Sequence, residues 1–321
     1  MRKSTDLYMP TFNDVRQARE RIKPYIHRTP VLTSSFFNKI TGTELFFKCE
    51  NFQRAGAFKV RGACNAVFGL SEEQASRGVA THSSGNHALS LSYAASRRGI
   101  PVSVVMPKTA PEAKKAAVRG YGGEVFVCEP STTAREAMLE ELVARTGADF
   151  VHPYNDFRVI AGQATCSLEL QEDVGDLDAI VAPIGGGGMI SGTCLAMSNV
   201  SPQTEIYAAE PKNADDAYRS FQAGEIIEDD APQTIADGLK VSLRPRTWHF
   251  VSTYVKDVLL ANEAEIIDAM YLTWQRMKIV VEPSSSVALA TIIKNKELFA
   301  GKRVGVILTG GNVDLKKLPW N

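Results

Sequence analysis

The feature that most restricts the fold of this chain is a recurring unit of short apolar run, turn and amphipathic segment. Residues 102–106, 124–128 and 148–152 read as strands, and residues 88–95 and 111–119 as helices. Thr133 and Glu136 have the spacing of a capping box, which predicts a further helix ending near Gly147. Later in the chain, residues 179–184, 205–209 and 303–308 are continuous apolar runs separated by helical stretches. Such runs are buried on both faces, as in parallel sheets joined by helical crossovers. The expected class is therefore α/β, with open parallel sheets flanked by helices. Ligands of such sheets bind beyond the carboxyl ends of the strands, and the glycine-rich segments of this chain fall there.

At 321 residues the chain exceeds what one hydrophobic core comfortably serves. Residues 81–151, with three compact strand–helix units, are expected to form a small mobile lobe. Residues 1–80 and 152–321 are expected to combine into a larger, discontinuous one. Lys plus Arg and Asp plus Glu are equal at 36 each, which argues against a polyanion-binding surface and so against nucleic acid. The five cysteines, Cys49, Cys64, Cys128, Cys166 and Cys194, form no C-x-x-C pair and read as buried reduced thiols. The first residues lack the apolar run of a leader, and no stretch approaches the roughly 20 apolar residues of a membrane span. The chain is read as cytoplasmic.

Four motifs carry chemistry. In Gly56-Ala57-Phe58-Lys59-Val60-Arg61-Gly62, a lysine between an aromatic and a β-branched residue is placed for desolvation, which lowers its pKa and frees a nucleophilic amine. An isolated lysine in a loop would ordinarily be a surface charge. Ser83-Ser84-Gly85-Asn86-His87 precedes a helix and suits a carboxylate at the helix N-terminus, although Ser84 or Asn86 could equally be a simple cap. Gly185-Gly186-Gly187-Gly188-Met189 lets successive N–H groups converge on a phosphate. Its spacing is neither that of a dinucleotide fingerprint nor that of a P-loop. Thr309-Gly310-Gly311-Asn312 sets a hydroxyl at a strand end, where it could face a ring nitrogen. Separately, Glu210, Ala214, Asp215 and Asp216 put oxygen donors around a turn, a chemistry that suits a hard cation but is also common in solvated turns.

In this order the motifs resemble the fold-type II pyridoxal-phosphate family of serine and threonine dehydratases and serine racemase, over nearly the whole chain. The resemblance implies a two-lobed architecture like that of the tryptophan synthase β subunit. Lys59 would be the Schiff-base lysine and the acid/base on one face of the cofactor, with Ser84 the second acid/base on the other. Phe58 would pack against the ring, Asn86 would meet its phenolic oxygen, and Thr309 its nitrogen. Gly185, Gly186, Gly187, Gly188 and Met189 would hold the phosphate. Ser83, Ser84, Gly85, Asn86 and His87 would hold the substrate carboxylate. Glu210, the Ala214 carbonyl and Asp216 would bind a divalent cation, Mg²⁺ or else Ca²⁺ or Mn²⁺. A homodimer is also implied.

Within the family the chain looks most similar to 3-hydroxyaspartate dehydratases, judged from Gly56–Gly62, from Thr81-His82-Ser83-Ser84-Gly85-Asn86-His87-Ala88-Leu89 and from the Leu318-Pro319-Trp320 end. The expected reaction is loss of water from a small β-hydroxy amino acid, with serine or threonine as lesser substrates and serine or aspartate racemisation as the alternative. A second substrate carboxylate needs a cation, for which His82, Arg135, Arg158, Lys240, Arg244 and Arg246 are candidates. Leu89 stands where many members carry glutamine, which removes a polar side chain associated with nucleotide activation. A catalytically silent ligand-sensing domain would have no need of Lys59, Asn86 and both glycine loops together.

Overall fold

The computed structural model describes residues 8–229 and 231–320. The start of the chain, where an apolar leader run is expected to be absent, lies outside the described residues as far as residue 7. Ten strands form two sheets. They are β1 (Val31–Leu32), β2 (Glu44–Cys49), β3 (Val79–His82), β4 (Val102–Pro107), β5 (Glu124–Cys128), β6 (Asp149–Phe150), β7 (Ala179–Pro183), β8 (Glu205–Pro211), β9 (Val255–Ala261) and β10 (Arg303–Leu308).

The larger sheet has the order β1-β2-β10-β7-β8-β9 and the smaller one β5-β4-β3-β6. All pairings are parallel except the edge pair β1–β2. Every residue of β7 is buried, and so are the last five of β10, which is why these runs are apolar without alternation. The α/β class with parallel-dominated sheets is as expected.

Three differences from the sequence reading have local causes. The smaller sheet opens at Val79, two residues before the expected lobe boundary. Its core also takes in Val60, Ala63 and Val67 of the helix Lys59–Phe68, so the helix that begins at Lys59 packs under the smaller sheet. The helix Thr132–Thr146 is capped by Ser131, whose hydroxyl accepts the Ala134 N–H at 3.1 Å, rather than opened by a box at Thr133. Of residues 148–152 only Asp149 and Phe150 pair as strand, because the chain then turns towards Lys59. The five cysteines are free and buried.

The motifs all lie at carboxyl ends of strands. Ser83 follows β3, Gly185 follows β7 and Thr309 follows β10. An ion pair of 2.7 Å between Lys114 and Asp237 ties the helix Glu112–Gly120 beside the smaller sheet to the chain around the larger one.

Candidate active site

Backbone pairing brings the first and fourth motifs together. Ala57 bridges Gly310, the Phe58 N–H donates to the Thr309 carbonyl at 3.0 Å, and the Gly311 N–H to the Gly56 carbonyl at 2.9 Å. Side chains bring in the second motif. Asn312 Nδ2 donates to Asn86 Oδ1 at 2.9 Å, and Asn86 Nδ2 donates to Glu282 Oε1 at 2.8 Å.

Lys59 opens its helix with Nζ donating to the Pro153 carbonyl at 2.8 Å and lying 5.1 Å from the centre of the Phe58 ring. No carboxylate neutralises it, and desolvation lowers its ammonium to about 8. Two residues on, Arg61 points the other way into the protein, as helical geometry requires. It is wholly buried, with Nε and Nη2 each 2.8 Å from Glu50 and Nη2 2.7 Å from Glu169. Lys48 donates to Glu169 at 2.8 Å. This buried ion cluster fixes the turn that carries Lys59.

The walls of the site are polar groups without countercharge. Burial lowers His82 to about 4, helped by Arg135 and Arg244, and His152 to about 3, helped by His82 and Lys59. The Tyr154 and Asn155 N–H groups donate to His152 Nδ1 at 3.2 and 3.0 Å. The imidazole proton of His152 therefore sits on Nε2. His87 turns inward, with Nε2 3.1 Å from the Val151 carbonyl, so it offers only its backbone to the loop.

Helix Asn86–Arg98 begins behind Gly85 with no side-chain cap, which leaves its first N–H groups for an anion. Simple capping by Ser84 or Asn86 is therefore not what this segment does. Thr309 is buried beyond β10, and its hydroxyl bonds to no described residue.

The tetraglycine segment is fully buried, and the N–H groups from Gly185 to Met189 have no acceptor among the described residues. Five enclosed donors aimed at no protein atom are the complement of a phosphate. At Gly186 a Cβ would meet the Tyr154 ring at 2.5 Å, so packing as well as anion approach excludes a side chain. The Tyr154 hydroxyl donates to the Ser242 carbonyl at 3.0 Å and pins that ring.

The acidic turn is more occupied than its residue types suggest. Both Glu210 oxygens accept N–H groups, from Ala217 at 2.9 Å and from Tyr218 at 2.8 Å. Asp216 Oδ2 is buried without a partner, and burial raises its carboxyl to about 6. Among the described residues no three His, Cys, Asp or Glu side chains gather as a metal-binding group.

Of the candidate cations for a second carboxylate, Arg158 is committed elsewhere, at 2.8 Å from Asp149 and 2.6 Å from Asp156. Arg246 donates to the Tyr8 and Asn155 carbonyls. Arg244 pairs with the half-exposed Glu228 at 2.7 Å, and Lys240 is exposed. The charges of Arg135 and Arg244 help to lower His82.

Glu282, Pro153 and Tyr154 escaped the sequence reading. The one available signal was Glu282 itself, a carboxylate directly after the apolar Ile279-Val280-Val281.

Known proteins agree with this geometry. Residues 22–310 match the family described as pyridoxal-phosphate dependent enzyme. The chain is 66% identical over 315 residues to a beta-hydroxyaspartate dehydratase of Paracoccus denitrificans (strain Pd 1222), covering 98% of this chain and 100% of that one. The crystal structure of a serine racemase from Dictyostelium discoideum matches with a TM-score of 0.92 at 48% identity, covering 95% of this chain and 99% of that one. The structure of a pyridoxal 5'-phosphate-dependent aspartate racemase gives a TM-score of 0.92 at 36% identity, covering 98% and 100%. By the family match over most of its length and by its fold, this chain belongs to the pyridoxal-phosphate-dependent enzymes of fold type II.

Proposed function

We propose that this chain is a carbon–oxygen lyase that dehydrates 3-hydroxyaspartate and releases oxaloacetate and ammonia. The observation that carries the substrate is the end-to-end 66% identity with the Paracoccus beta-hydroxyaspartate dehydratase. The cofactor fits the residues present. Five buried N–H groups without acceptors suit its phosphate, and an amine lowered to about 8 suits its aldehyde. Lys59 would hold it covalently, Gly185 to Met189 would bind its phosphate, Asn86 its ring oxygen and Thr309 its ring nitrogen, with Phe58 against the ring. When bound, it supplies the electron sink that makes the α-proton of an amino acid acidic.

The chain supplies the rest. Lys59 Nζ, steered by the Pro153 carbonyl, takes the α-proton. The N–H groups of Ser84, Asn86 and His87, which donate to no described residue, hold the α-carboxylate at the uncapped helix terminus. Arg135 and Arg244 are the cations assigned to the second carboxylate, since the charge of each is felt at His82. His82 and His152 stay neutral at physiological pH, so they line the pocket as hydrogen-bonding groups and leave proton removal to Lys59. Loss of the α-proton with the β-hydroxyl amounts to loss of one water. The enamine that leaves then hydrolyses to oxaloacetate and ammonia.

A divalent cation on Glu210, the Ala214 carbonyl and Asp216 belongs to this proposal, as does a homodimer. The unpartnered Asp216 Oδ2 supports the cation. Chelation should lower the melting temperature, and unchanged melting and activity would remove the cation. Residues 81–151 are proposed to close over the cleft as a unit.

The test is release of oxaloacetate and ammonia from the four stereoisomers of 3-hydroxyaspartate, against L- and D-serine and L-threonine. Fast oxaloacetate formation from one isomer is expected. Slow release from all substrates, with scrambled stereochemistry in recovered serine or aspartate, would overturn the reading in favour of a racemase, in which Ser84 serves the second face.

A further inference from the structure

We infer that Glu282 is a positioning residue that aims the Asn86 amide at the cofactor's ring oxygen and does so as a neutral carboxylic acid. The inference rests on the reading that Asn86 meets that oxygen.

The orientation of Asn86 follows from a chain of hydrogen bonds with one unambiguous end. The Ala55 carbonyl can only accept, and Asn312 lies 2.8 Å from it, so the Asn312 atom there is the amide nitrogen. That same nitrogen is 2.9 Å from Asn86, which makes the near Asn86 atom its oxygen. Asn86 Nδ2 is then the donor 2.8 Å from Glu282 Oε1. One of its two N–H bonds is used there and the other is free. The Ala55 carbonyl and Asn312 therefore settle which end of Asn86 meets Glu282, and the bond to Glu282 fixes where the second N–H points.

Features of the sequence that the reaction leaves unexplained serve this chain of bonds. At Gly310 a Cβ would lie 2.8 Å from Glu282 Oε1, so only glycine admits the carboxyl there. Ala55 sits in the left-handed region at φ 55, a conformation disfavoured for a residue with a Cβ. It is held by the turn whose carbonyl Asn312 clasps.

Glu282 is buried and pairs with no Lys, Arg or His side chain among the described residues. Burial, reinforced by Asp237, raises its carboxyl to about 8, while the Asn86 amide, the Asn312 N–H and the charge of Lys114 oppose the shift. A neutral acid leaves the charge next to Asn86 unaltered, so the free N–H can polarise the ring oxygen without a competing anion.

The experiment is a double-mutant cycle on the cofactor-loaded protein. It reads the absorbance maximum of the bound cofactor and its dissociation constant, alongside turnover. Asn86→Ala should shift the absorbance and weaken cofactor binding about tenfold, and Glu282→Leu should do the same. The double variant should lose no more than either single one, because both changes remove one interaction. Glu282→Gln, the isostere of the neutral acid, should restore the parental spectrum and affinity.

Asn312→Ala, at an exposed position, should give a smaller shift in the same direction. This variant keeps the test alive if Glu282→Leu fails to fold. Additive losses in the double variant, or a Glu282→Gln protein as impaired as the leucine one, would overturn the inference. So would an Asn312→Ala protein with the parental spectrum. A silent Asn86→Ala would instead sink the placement of Asn86 against the ring, and this inference with it. A clear Asn86→Ala effect beside a silent Glu282→Leu would sink the inference alone.

Discussion

Two polar clusters lie back to back across the first turn of the helix Lys59–Phe68, and the same burial acts on them in opposite ways. Behind the turn, Arg61, Lys48, Glu50 and Glu169 interlock at 2.7–2.9 Å. Burial alone would lower Arg61, but the carboxylates of Glu50 and Glu169 override it and hold its guanidinium well above the ordinary range. Glu169 is in turn held low by Arg61 and Lys48 against its own desolvation. In front of the turn no ion pair joins Lys59, His82, His87, His152 or Glu282 to an opposite charge among the described residues. There desolvation lowers Lys59, His82, His87 and His152 and raises Glu282, each towards its neutral form. A buried ionisable group keeps its charge only when a partner offsets the loss of water. The rear cluster is thus an anchor, and the front one a source of uncharged nucleophile and hydrogen-bonding groups.

The sharpest way to break this contrast is to remove one member from each side. Lys59→Ala should bring activity to background and abolish the absorbance of a bound cofactor, while leaving the urea midpoint of the cofactor-free protein no lower, since it also removes the desolvation cost of the ammonium. The lysine has one hydrogen bond to lose, to the Pro153 carbonyl. Measurable turnover by this variant would refute the central role of Lys59. Glu169→Ala should do the reverse. Leaving Arg61 and Lys48 short of a buried partner should cost about 3–5 kcal/mol of stability, read from urea unfolding, with the remaining folded fraction still binding cofactor. Equal stability losses for the two variants would mean that the clusters are not different in kind.

The same contrast explains what could be read in the sequence. Strands β5 and β10 were legible to the residue, because a short apolar run between polar turns has few other fates. The glycine loops were legible because each needs only its own residues and the strand before it. What could not be read depends on contacts between distant segments. Glu282 reaches Asn86 across 196 positions, and Tyr154 reaches Ser242 across 88. Residue type offers Arg158 to the substrate, whereas the fold sets Asp149 and Asp156 against it. Residue type offers Glu210 as a cation ligand but does not show that both its oxygens also accept N–H groups at the start of the helix Asp216–Ala223. Residue type announced the chemistry, but partnership decided the charge state, and partnership is a property of the fold.

The smallest expected effect sharpens the comparison most finely, because it reads the charge of Lys59 directly. In the folded chain its ammonium ionises near 8, against an ordinary value of 10.5. Only the neutral amine attacks an aldehyde. Capture of cofactor by the cofactor-free protein should therefore slow about tenfold for each pH unit below 8 and level off above it. The linked effect on stability has a definite sign. Between about 8 and 10.5 the unfolded chain still holds a proton that the folded one has released, so stability of the cofactor-free protein rises with pH across that window. Below 8 both states are protonated, and the desolvation cost is fully present. Stopped-flow absorbance against pH gives the capture midpoint, and urea titrations at pH 7.5 and 9.5 give the slope. A capture midpoint near 10.5 would mean that Lys59 is solvated or paired like an ordinary lysine, and the distinction between the front and rear of its helix would fail.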